Sequence, residues 1–312
     1  MKPNILNRNL FEAEFESVAI ERIKKFYKIA QAYGFKIALG FSGGKDSIVV
    51  YHLCKRAGIP FTAYYNVAFE SPITKNFIKQ DYHEVVWRKE HPFGFINNIM
   101  INHKGMLPTI EKAYCCQDYK HNPKYADKCS IVGVRRQESA KRTKRTTLSV
   151  RSKKVMRDIP PYFQEHCQSV GTKSVIQLSP IIDWSDEDVW NYIYKYDLPI
   201  NPEYDNKDRV GCIVCPKTNF SQNVLSLYKY PGLIDSFIIA RLKGNPYCDW
   251  VITNDNKDYS DDKVYYICRW LNRSFRKFSK KQQKEYEAFK RVYEQYKSNR
   301  NHRQYPRQPR IN

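Results

Sequence analysis

A short polar segment between two apolar ones has the residue types of an anion site. Ser42-Gly43-Gly44-Lys45-Asp46-Ser47 follows the apolar run 36–41 and precedes a helical stripe of apolar residues that ends before Gly58. Two glycines let the backbone turn tightly enough for several N–H groups to face one anion, with the positive end of a helix dipole behind them. The serine hydroxyls and the Lys45 ammonium add donors, and the Asp46 carboxylate can hold Mg²⁺. The segment therefore predicts a site for a magnesium-bound phosphate chain, with a spacing different from that of a Walker motif.

Four of the nine cysteines form two close pairs. Cys115 and Cys116 are adjacent, and Cys212 and Cys215 form a CxxC motif 96 positions further on. Four thiolates from two distant segments can bind a metal ion or hold an iron–sulfur cluster. Adjacent cysteines are unusual in structural zinc sites, but zinc and a group of plain or redox-active thiols both stay open. The remaining cysteines are single and are expected in the core: Cys54, Cys129, Cys167, Cys248 and Cys268.

Composition excludes several classes of protein. The 312 residues are 42% hydrophobic, which is enough for a core and argues against a wholly disordered chain. No apolar run approaches the ~18 residues that a membrane span needs. The first residues carry acids where a signal or transit peptide has a basic and then an apolar stretch. A cytoplasmic protein without a membrane partner is therefore expected, and a reducing compartment favours metal or catalytic roles for clustered cysteines.

The net charge of +21 is concentrated in two regions. Residues 263–312 hold 15 Lys and Arg against 3 Glu, with many aromatic residues among them, and residues 141–157 form a second basic run. Clustered cations beside rings that can stack are typical of surfaces that bind nucleic acid. The alternative is a solvated helix face together with a genome that is biased towards Lys, Asn and Tyr. The charge pattern favours a nucleic-acid partner, DNA or tRNA.

The elements around these residues indicate an α/β fold. Hydrophobic spacing predicts a helix over 11–33, and strand, glycine turn, helix and strand follow each other from 36 to 67, as in the first βαβ unit of a parallel sheet. Further strands are predicted at 85–87, 130–134 and 175–178, and a helix at 185–196 capped by Ser185. After residue 200 the strand signal fades, and 222–243 and 263–298 read as helical.

These elements predict four regions. They are an N-terminal helical segment (1–34), an α/β domain (35–216), a helical basic C-terminal region (217–297) and a disordered tail (298–312). The expected fold is a Rossmann-like parallel sheet with flanking helices, extended by basic helices.

Ordered motifs over residues 36–216 resemble one family. SGGKDS at 42–47 looks like the PP-loop of the ATP pyrophosphatase superfamily, and AFESPIT at 68–74 is similar to the segment after the second strand in its phosphoadenylylsulfate reductase branch. The resemblance continues through CCQDYKHNP at 115–123, GVRRQES at 133–139 with Arg142, the segment 180–192, and RVGCIVCP at 209–216. Members of this superfamily split ATP between its α and β phosphates to adenylate a substrate.

The resemblance implies roles for particular residues. It implies ATP and Mg²⁺ binding by Ser42, Gly43, Gly44, Lys45, Asp46 and Ser47, with adenine and ribose near Glu70. It also implies that Lys120, Arg135 and Arg142 neutralise phosphate or the activated intermediate alongside Lys45 and Asp46; surface cations are the plain alternative for Arg135 and Arg142. Finally, it implies a [4Fe–4S] cluster on Cys115, Cys116, Cys212 and Cys215, which could deliver sulfide or be structural only.

Two departures from the reductases of this family indicate a different reaction. Their loop is degraded because their substrate is already activated, whereas the loop at 42–47 is intact. They also need a nucleophilic cysteine on a C-terminal tail, and here the last cysteine is Cys268. The expected function is an ATP-dependent sulfurtransferase that adenylates a nucleic acid, by tRNA thiolation or DNA phosphorothioation, with a cysteine desulfurase as sulfur donor. A phosphoadenylylsulfate or adenylylsulfate reductase is one alternative, and a non-catalytic nucleotide-sensing DNA-binding protein is another.

Overall fold

The chain folds into two compact units. The computed structural model describes residues 9–32, 34–89, 93–121, 129–140, 142–150, 167–169, 176–205, 207–244, 262–272 and 276–302. Unit 1 comprises Met1–Glu90 and Asp118–Gly211, and unit 2 comprises His91–Gln117 and Cys212–Asn312. In this division residues 91–117 belong to unit 2, whereas the sequence analysis includes them in the region 35–216; the four predicted regions stay a prediction. The N-terminal helical segment lies in unit 1.

Seven strands of the described chain form one sheet in unit 1. They are β1 (Ile37–Gly40), β2 (Thr62–Asn66), β3 (Val86–Arg88), β4 (Cys129–Ile131), β5 (Leu148–Val150), β6 (Cys167–Ser169) and β7 (Ile176–Leu178). Their spatial order is β3-β2-β1-β4-β7-β5-β6. The first five strands in this order are parallel neighbours, as the apolar runs predict.

Strands β5 and β6 are the part of the sheet that the sequence pattern missed. Strand β5 pairs antiparallel with β7, and β6 pairs parallel with β5, so the sheet is mostly rather than wholly parallel. Strand β5 lies in the run 141–157 that its charge marked as a nucleic-acid contact. Ser149 is buried and Leu148 is nearly so, which shows that part of this run serves the sheet; residues 151–166 lie outside the described residues.

The helices of the described chain, in order, are α1 (Asn9–Ala32), α2 (Lys45–Arg56), α3 (Pro72–Asp81), α4 (Phe95–Ile101), α5 (Asp186–Lys195), α6 (Phe220–Lys229), α7 (Leu233–Gly244), α8 (Lys263–Leu271) and α9 (Lys280–His302). Short turns of other helix types lie at Cys116–His121, Arg136–Glu138 and Pro202–Asp205. None of the described helices combines the length and the apolarity needed to cross a membrane.

Helices α1 and α5 both pack against α2, and all three contribute buried side chains to the core of unit 1. The buried stripe Ala19, Ile23 and Phe26 of α1 packs with α2, which confirms the predicted amphipathic helix. At α5 the Ser185 hydroxyl accepts from the Asp188 amide at 3.0 Å, and the Asp188 carboxylate accepts from the Ser185 amide at 2.7 Å. This reciprocal cap explains why the helix begins where the sequence predicts it.

Unit 2 is helical in its described part and has its own aromatic core. Phe237 of α7, Trp270 of α8 and Phe289 of α9 are fully buried. The predicted helical stretches 222–243 and 263–298 are each divided into two helices. Pro231 separates α6 from α7 because proline has no N–H to donate, and Asn272 separates α8 from α9 by donating its side-chain amide to two later carbonyls. Helix α9 also continues to His302, so residues 298–302 are not the start of a disordered tail; 303–312 lie outside the described residues.

Candidate functional site

The polar segment 42–47 lies where the strand order of the sheet reverses. Strand β1 has β2 on one side and β4 on the other, and ligands of open parallel sheets bind beyond the carboxyl ends of strands at such a point. The segment follows β1, and Gly133 and Arg135 follow β4. Both connections belong to unit 1, so the fold of that unit alone brings them together.

The turn itself is held by hydrogen bonds among its own residues. The Ser47 hydroxyl donates to the Gly44 carbonyl at 2.8 Å, and the Ser42 amide donates to the Ser47 hydroxyl at 3.2 Å. Gly44 is the N-cap of α2 and has no side chain to cap it. The N-cap residue therefore supplies no side-chain acceptor of its own to the amides at the positive end of the helix.

The geometry requires glycine at two positions, one in this turn and one in the segment after β4. Gly43 has φ +72°, a left-handed conformation that suits glycine. A Cβ on Gly133 would lie 2.7 Å from the backbone carbonyl carbon and oxygen of Asp46. The segment after β4 thus touches the backbone of the segment after β1, and a side chain at position 133 would separate them.

A buried arginine links the turn to helix α5. Arg135 is 2% exposed. Its Nε donates to Asp46 Oδ1 at 2.6 Å, and one of its terminal nitrogens donates to Asp186 Oδ1 at 2.8 Å. Lys45 Nζ lies 3.0 Å from the same Asp186 oxygen. Burial raises the pKa of Asp186, but the hydrogen bonds and charges of Lys45 and Arg135 outweigh it and hold that pKa below its usual range.

Tyr204 closes the other side of the turn. Its hydroxyl accepts a 2.9 Å hydrogen bond from the Lys45 amide, and burial raises the pKa of Tyr204 to about 12. The sequence interpretation included neither Tyr204 nor Asp186 among the site residues. For Asp186 a signal exists, since it opens the capped helix within the motif at 180–192. The pattern around Tyr204 offers no comparable signal.

Cations gather at one end of the site. Arg142 and Arg209 line the same cavity, and Arg142 forms an ion pair with Glu138. Burial lowers the pKa of Arg142, and the neighbouring charges of Arg145 and Arg209 lower it further. Arg209 is exposed, and it forms no ion pair with any residue that the structure describes. This end of the site therefore carries a cation that an anionic ligand can neutralise.

These residues enclose a cavity of about 500 Å³, within the range of small-molecule sites, roughly 300–1,000 Å³. Its lining comprises Gly40, Ser42, Gly44, Lys45, Asp46, Ser47, Gly133, Val134, Arg135, Gln137, Glu138, Arg142, Asp186, Tyr204, Asp208, Arg209 and Val210. The structure thus brings together the predicted residues Ser42, Gly44, Lys45, Asp46, Ser47, Arg135 and Arg142. Gly43 shapes the turn from behind, against Ile78.

Two predicted site residues are placed elsewhere. Glu70 is 5% exposed, and it accepts hydrogen bonds from the Tyr65 hydroxyl at 3.0 Å and the Ala68 amide at 2.9 Å. Its other oxygen lies 2.7 Å from Lys120 Nζ. The structure therefore pairs Glu70 with Lys120 away from the described lining of the cavity.

The four paired cysteines belong to unit 2. Cys115, Cys116, Cys212 and Cys215 are free thiols of intermediate exposure. A hydrogen bond with Cys116, burial, and the charges of Cys212 and Cys215 all raise the pKa of Cys115. The thiols are thus close enough to affect one another, and their chemistry suits iron or zinc. Within the described residues, however, no group of three or more His, Cys, Asp or Glu side chains is arranged to hold a metal ion.

The single cysteines behave as the sequence predicts where they are described. Cys54, Cys129 and Cys268 are fully buried, and burial raises the pKa of Cys54 and Cys268. The side chain of Cys167 and all of Cys248 lie outside the described residues.

Known proteins are similar to this chain at low sequence identity. A protein of Methanocaldococcus jannaschii of uncharacterized function is 26% identical over 238 residues, which is 72% of this chain and 52% of that protein. The chain thus spans about half the length of this relative. The sulfate adenylyltransferase subunit 2 of Psychromonas ingrahamii is 28% identical over 226 residues, covering 67% of this chain and 71% of that protein.

Two solved structures are similar at lower levels. A phosphoadenylyl-sulfate reductase from Candida auris in complex with phosphate aligns with a TM-score of 0.44 and 12% identity, covering 67% of this chain and 98% of that one. The U34-tRNA thiolase NcsA from Methanococcus maripaludis, with its [4Fe-4S] cluster, aligns with a TM-score of 0.37 and 14% identity, covering 85% and 91%. A model of the phosphoadenosine phosphosulfate reductase domain matches residues 36–218, more than half of the chain and all of the residues that line the cavity. The chain belongs to the phosphoadenosine phosphosulfate reductase domain family.

Proposed function

We propose that the protein cleaves ATP between its α and β phosphates, releases pyrophosphate and transfers the adenylyl group to an oxygen of a nucleic acid. Sulfur at the sulfide level then displaces that oxygen, which leaves as part of AMP. The observation that carries the first half is the intact turn 42–47 in a cavity with Lys45 and Arg135. When ATP is cleaved between its α and β phosphates, the leaving group is pyrophosphate. The backbone amides and cations of this turn can stabilise the negative charge of that group.

Different residues of the cavity suit the phosphates of ATP and its magnesium ion. The amides of the turn and the Lys45 ammonium suit the β and γ phosphates. The Ser42 and Ser47 hydroxyls would join them by turning away from their hydrogen bonds within the turn. The Asp46 carboxylate suits the magnesium ion that accompanies ATP, since Mg²⁺ prefers oxygen ligands from one or two carboxylates and phosphates. Arg135 fixes the Asp46 and Asp186 carboxylates in place through its two hydrogen bonds.

The second half of the proposal concerns the four cysteines of unit 2. Cys115, Cys116, Cys212 and Cys215 would be the ligands of a [4Fe–4S] cluster, because four thiols from two segments match its donor set. Bound through all four thiolates, such a cluster would have no open iron and would serve a structural role; it would supply an iron for sulfide only if three of the four cysteines were its ligands. The Cys215 amide and carbonyl are both fixed by the side chain of Asn223 at 2.9 Å, so one of the proposed ligand segments is anchored to α6. A cysteine desulfurase is the proposed sulfur donor.

A second candidate acceptor is inorganic sulfate. Relatives named sulfate adenylyltransferase subunit 2 favour it, and the cation of Arg209 would suit a small dianion. In that case the product of the first step would be adenylylsulfate rather than an adenylylated nucleic acid.

The test is an ATP-cleavage assay with separate acceptors. Anaerobically purified protein receives α-labelled ATP and Mg²⁺ with no acceptor, with sulfate, with mixed tRNA or with DNA. Transfer of the label to one nucleic acid, with its release as AMP when sulfide is added, supports the proposal, and labelled adenylylsulfate supports the second candidate. Intact ATP in every arm refutes both, and sulfite release from added adenylylsulfate would then identify a reductase.

A matched pair of lysine variants ties the activity to the cavity. Lys45→Ala removes a cation that lies 3.0 Å from Asp186, and it should abolish AMP formation. Lys25→Ala removes an exposed lysine on α1 that pairs with Glu21, and it should leave the rate unchanged. Equal activity in the two variants would show that ATP is cleaved elsewhere.

A further inference from the structure

Three aromatic rings form a row from the cavity to the surface of unit 1. The first is Tyr204, which lines the cavity and binds the Lys45 amide. The Trp190 ring meets Tyr204 edge-on, with ring centroids 5.1 Å apart. On its helix, one turn further, Tyr194 lies nearly parallel to Trp190, with centroids 5.8 Å apart and planes inclined by 20°. The row therefore connects the turn 42–47 to an exposed stacked pair.

The outer ring of this row is unusually open to solvent. Tyr194 is 67% exposed, more than any other large hydrophobic side chain that the structure describes. A pair of aromatic rings four residues apart on a helix adds only a few tenths of a kcal/mol to helix stability, roughly 0.2–0.5. Tyr194 thus contributes little to the core of unit 1, yet it adds an exposed ring to the aromatic row that starts in the cavity.

The cations near this row give the second observation. Arg209 and Arg142 line the same cavity as Tyr204, and Arg209 has no ionic partner among the described residues. The charge of Arg209 is felt by both Arg142 and the Tyr204 hydroxyl. A ligand that satisfies both features has a flat ring for the aromatic pair and a negative charge for the arginines.

We propose that Tyr194 and Trp190 form a stacking platform for an unpaired nucleobase of the acceptor polynucleotide, whose phosphates contact Arg209 and Arg142. This inference deepens the proposed function and rests on it in one respect, because the proposed function makes the polynucleotide the acceptor of the adenylyl group. The base must be unpaired, because a base inside a duplex has both faces covered by its neighbours. The shared chemistry is a single strand, RNA or DNA, and the experiment distinguishes the two.

The platform differs from the site of ATP in its chemistry. The phosphates of ATP are matched by the amides and hydroxyls of the turn, whereas Tyr194 offers only a ring and a hydroxyl at the surface. A sulfate acceptor would use the arginines and have no need of the rings. Replacing Tyr194 by alanine should therefore weaken the binding of a polynucleotide acceptor and leave the use of sulfate unchanged.

The experiment measures binding without ATP. Fluorescently labelled 20-residue single strands of RNA and of DNA, and the corresponding duplex, are titrated with the full chain and followed by fluorescence anisotropy. Stacking on one aromatic residue gives about a 5- to 150-fold change in affinity when the residue is replaced by alanine. We therefore expect Tyr194→Ala to weaken single-strand binding at least fivefold and Tyr194→Phe to retain it.

A matched control is Tyr228→Ala, which removes a tyrosine of unit 2 that is 37% exposed; it should bind like the unaltered chain. The proposal is overturned if Tyr194→Ala and Tyr228→Ala bind equally, or if the duplex binds as tightly as the single strands. The stronger of the RNA and DNA arms identifies the source of the base.

The same variants separate this inference from the proposed function. AMP formation in the absence of acceptor should be equal in Tyr194→Ala and the unaltered chain, while stimulation by nucleic acid should be lost. Single-strand binding that depends on Tyr194 in a protein that never cleaves ATP would support the platform and refute the adenylating activity. If nucleic acid stimulates ATP cleavage to the same extent in Tyr194→Ala and in the unaltered chain, the adenylating activity is supported and the platform is refuted.

Discussion

Replacing Gly133 by alanine tests the contact between the two connections of the cavity. The added Cβ would lie 2.7 Å from the Asp46 carbonyl carbon and oxygen and 3.0 Å from its Cβ, where ordinary contact begins at 3.4 Å. Since backbone cannot rotate out of the way, the segments after β1 and β4 must separate by about 0.7 Å. Such overpacking costs about 1–3 kcal/mol, which at about 2–4 °C per kcal/mol lowers the Tm by several degrees.

The effect on activity should exceed the effect on stability. A shift near 1 Å at a reacting site can cost about 10²-fold in rate, so we expect kcat/KM for ATP to fall roughly 10- to 100-fold in Gly133→Ala. The assay is AMP formation from α-labelled ATP, with Tm measured on the same samples by differential scanning calorimetry. Gly211→Ala is the control, because a Cβ there meets nothing within 4 Å. Equal kcat/KM in the two variants at full folding would refute the reasoning.

Three further predictions concern charge and cysteine chemistry. Arg135→Lys should lower the free energy of unfolding by about 1–3 kcal/mol in urea titrations, because an ammonium cannot reproduce the fork to both carboxylates. Burial raises the pKa of Glu16, but hydrogen bonds from Lys195, Tyr196 and Arg56 outweigh it and lower the pKa below 4.5. The ionised carboxylate therefore stabilises the fold at pH values above its unfolded pKa, and this stabilisation is lost as the pH falls through its folded pKa. The stability difference between the unaltered chain and Glu16→Gln, measured by urea unfolding, should therefore be larger at pH 7 than at pH 3. Cys212→Ser should reduce the iron content and visible absorbance of anaerobically purified protein, whereas Cys54→Ser, at a buried single cysteine, should not.

Features that are local in sequence could be predicted. The turn 42–47 is recognisable because its strand, glycines and helix are contiguous, and the cap of α5 is recognisable because Ser185 and Asp188 are three residues apart. The positions of β1, β2, β4 and β7 follow from apolar runs, although their order in the sheet does not. Each of these depends on interactions within a few residues, which a sequence pattern contains directly.

Features that depend on distant partners could not be predicted. Tyr204 reaches the Lys45 amide across 159 positions, and no spacing rule anticipates such a contact. Glu70 matched a motif, but one of its oxygens pairs with Lys120, which lies far along the chain in another connection. Strand β5 was hidden because its neighbours are basic, and its pairing with β7 is decided by the sheet rather than by its own composition.

The division of the chain into two interleaved units has a consequence for its synthesis. Unit 1 is complete once Gly211 has been made, whereas unit 2 requires residues on both sides of the segment 118–211. At about 5–20 residues per second, the roughly 95 residues from Gln117 to Cys212 take about 5–20 s to emerge. During that interval Cys115 and Cys116 are held without Cys212 and Cys215, while Ile99, fully buried in the finished protein, lacks its later packing partners. Unit 1 should therefore fold first on the ribosome, and the cysteine group should assemble only near the end of translation.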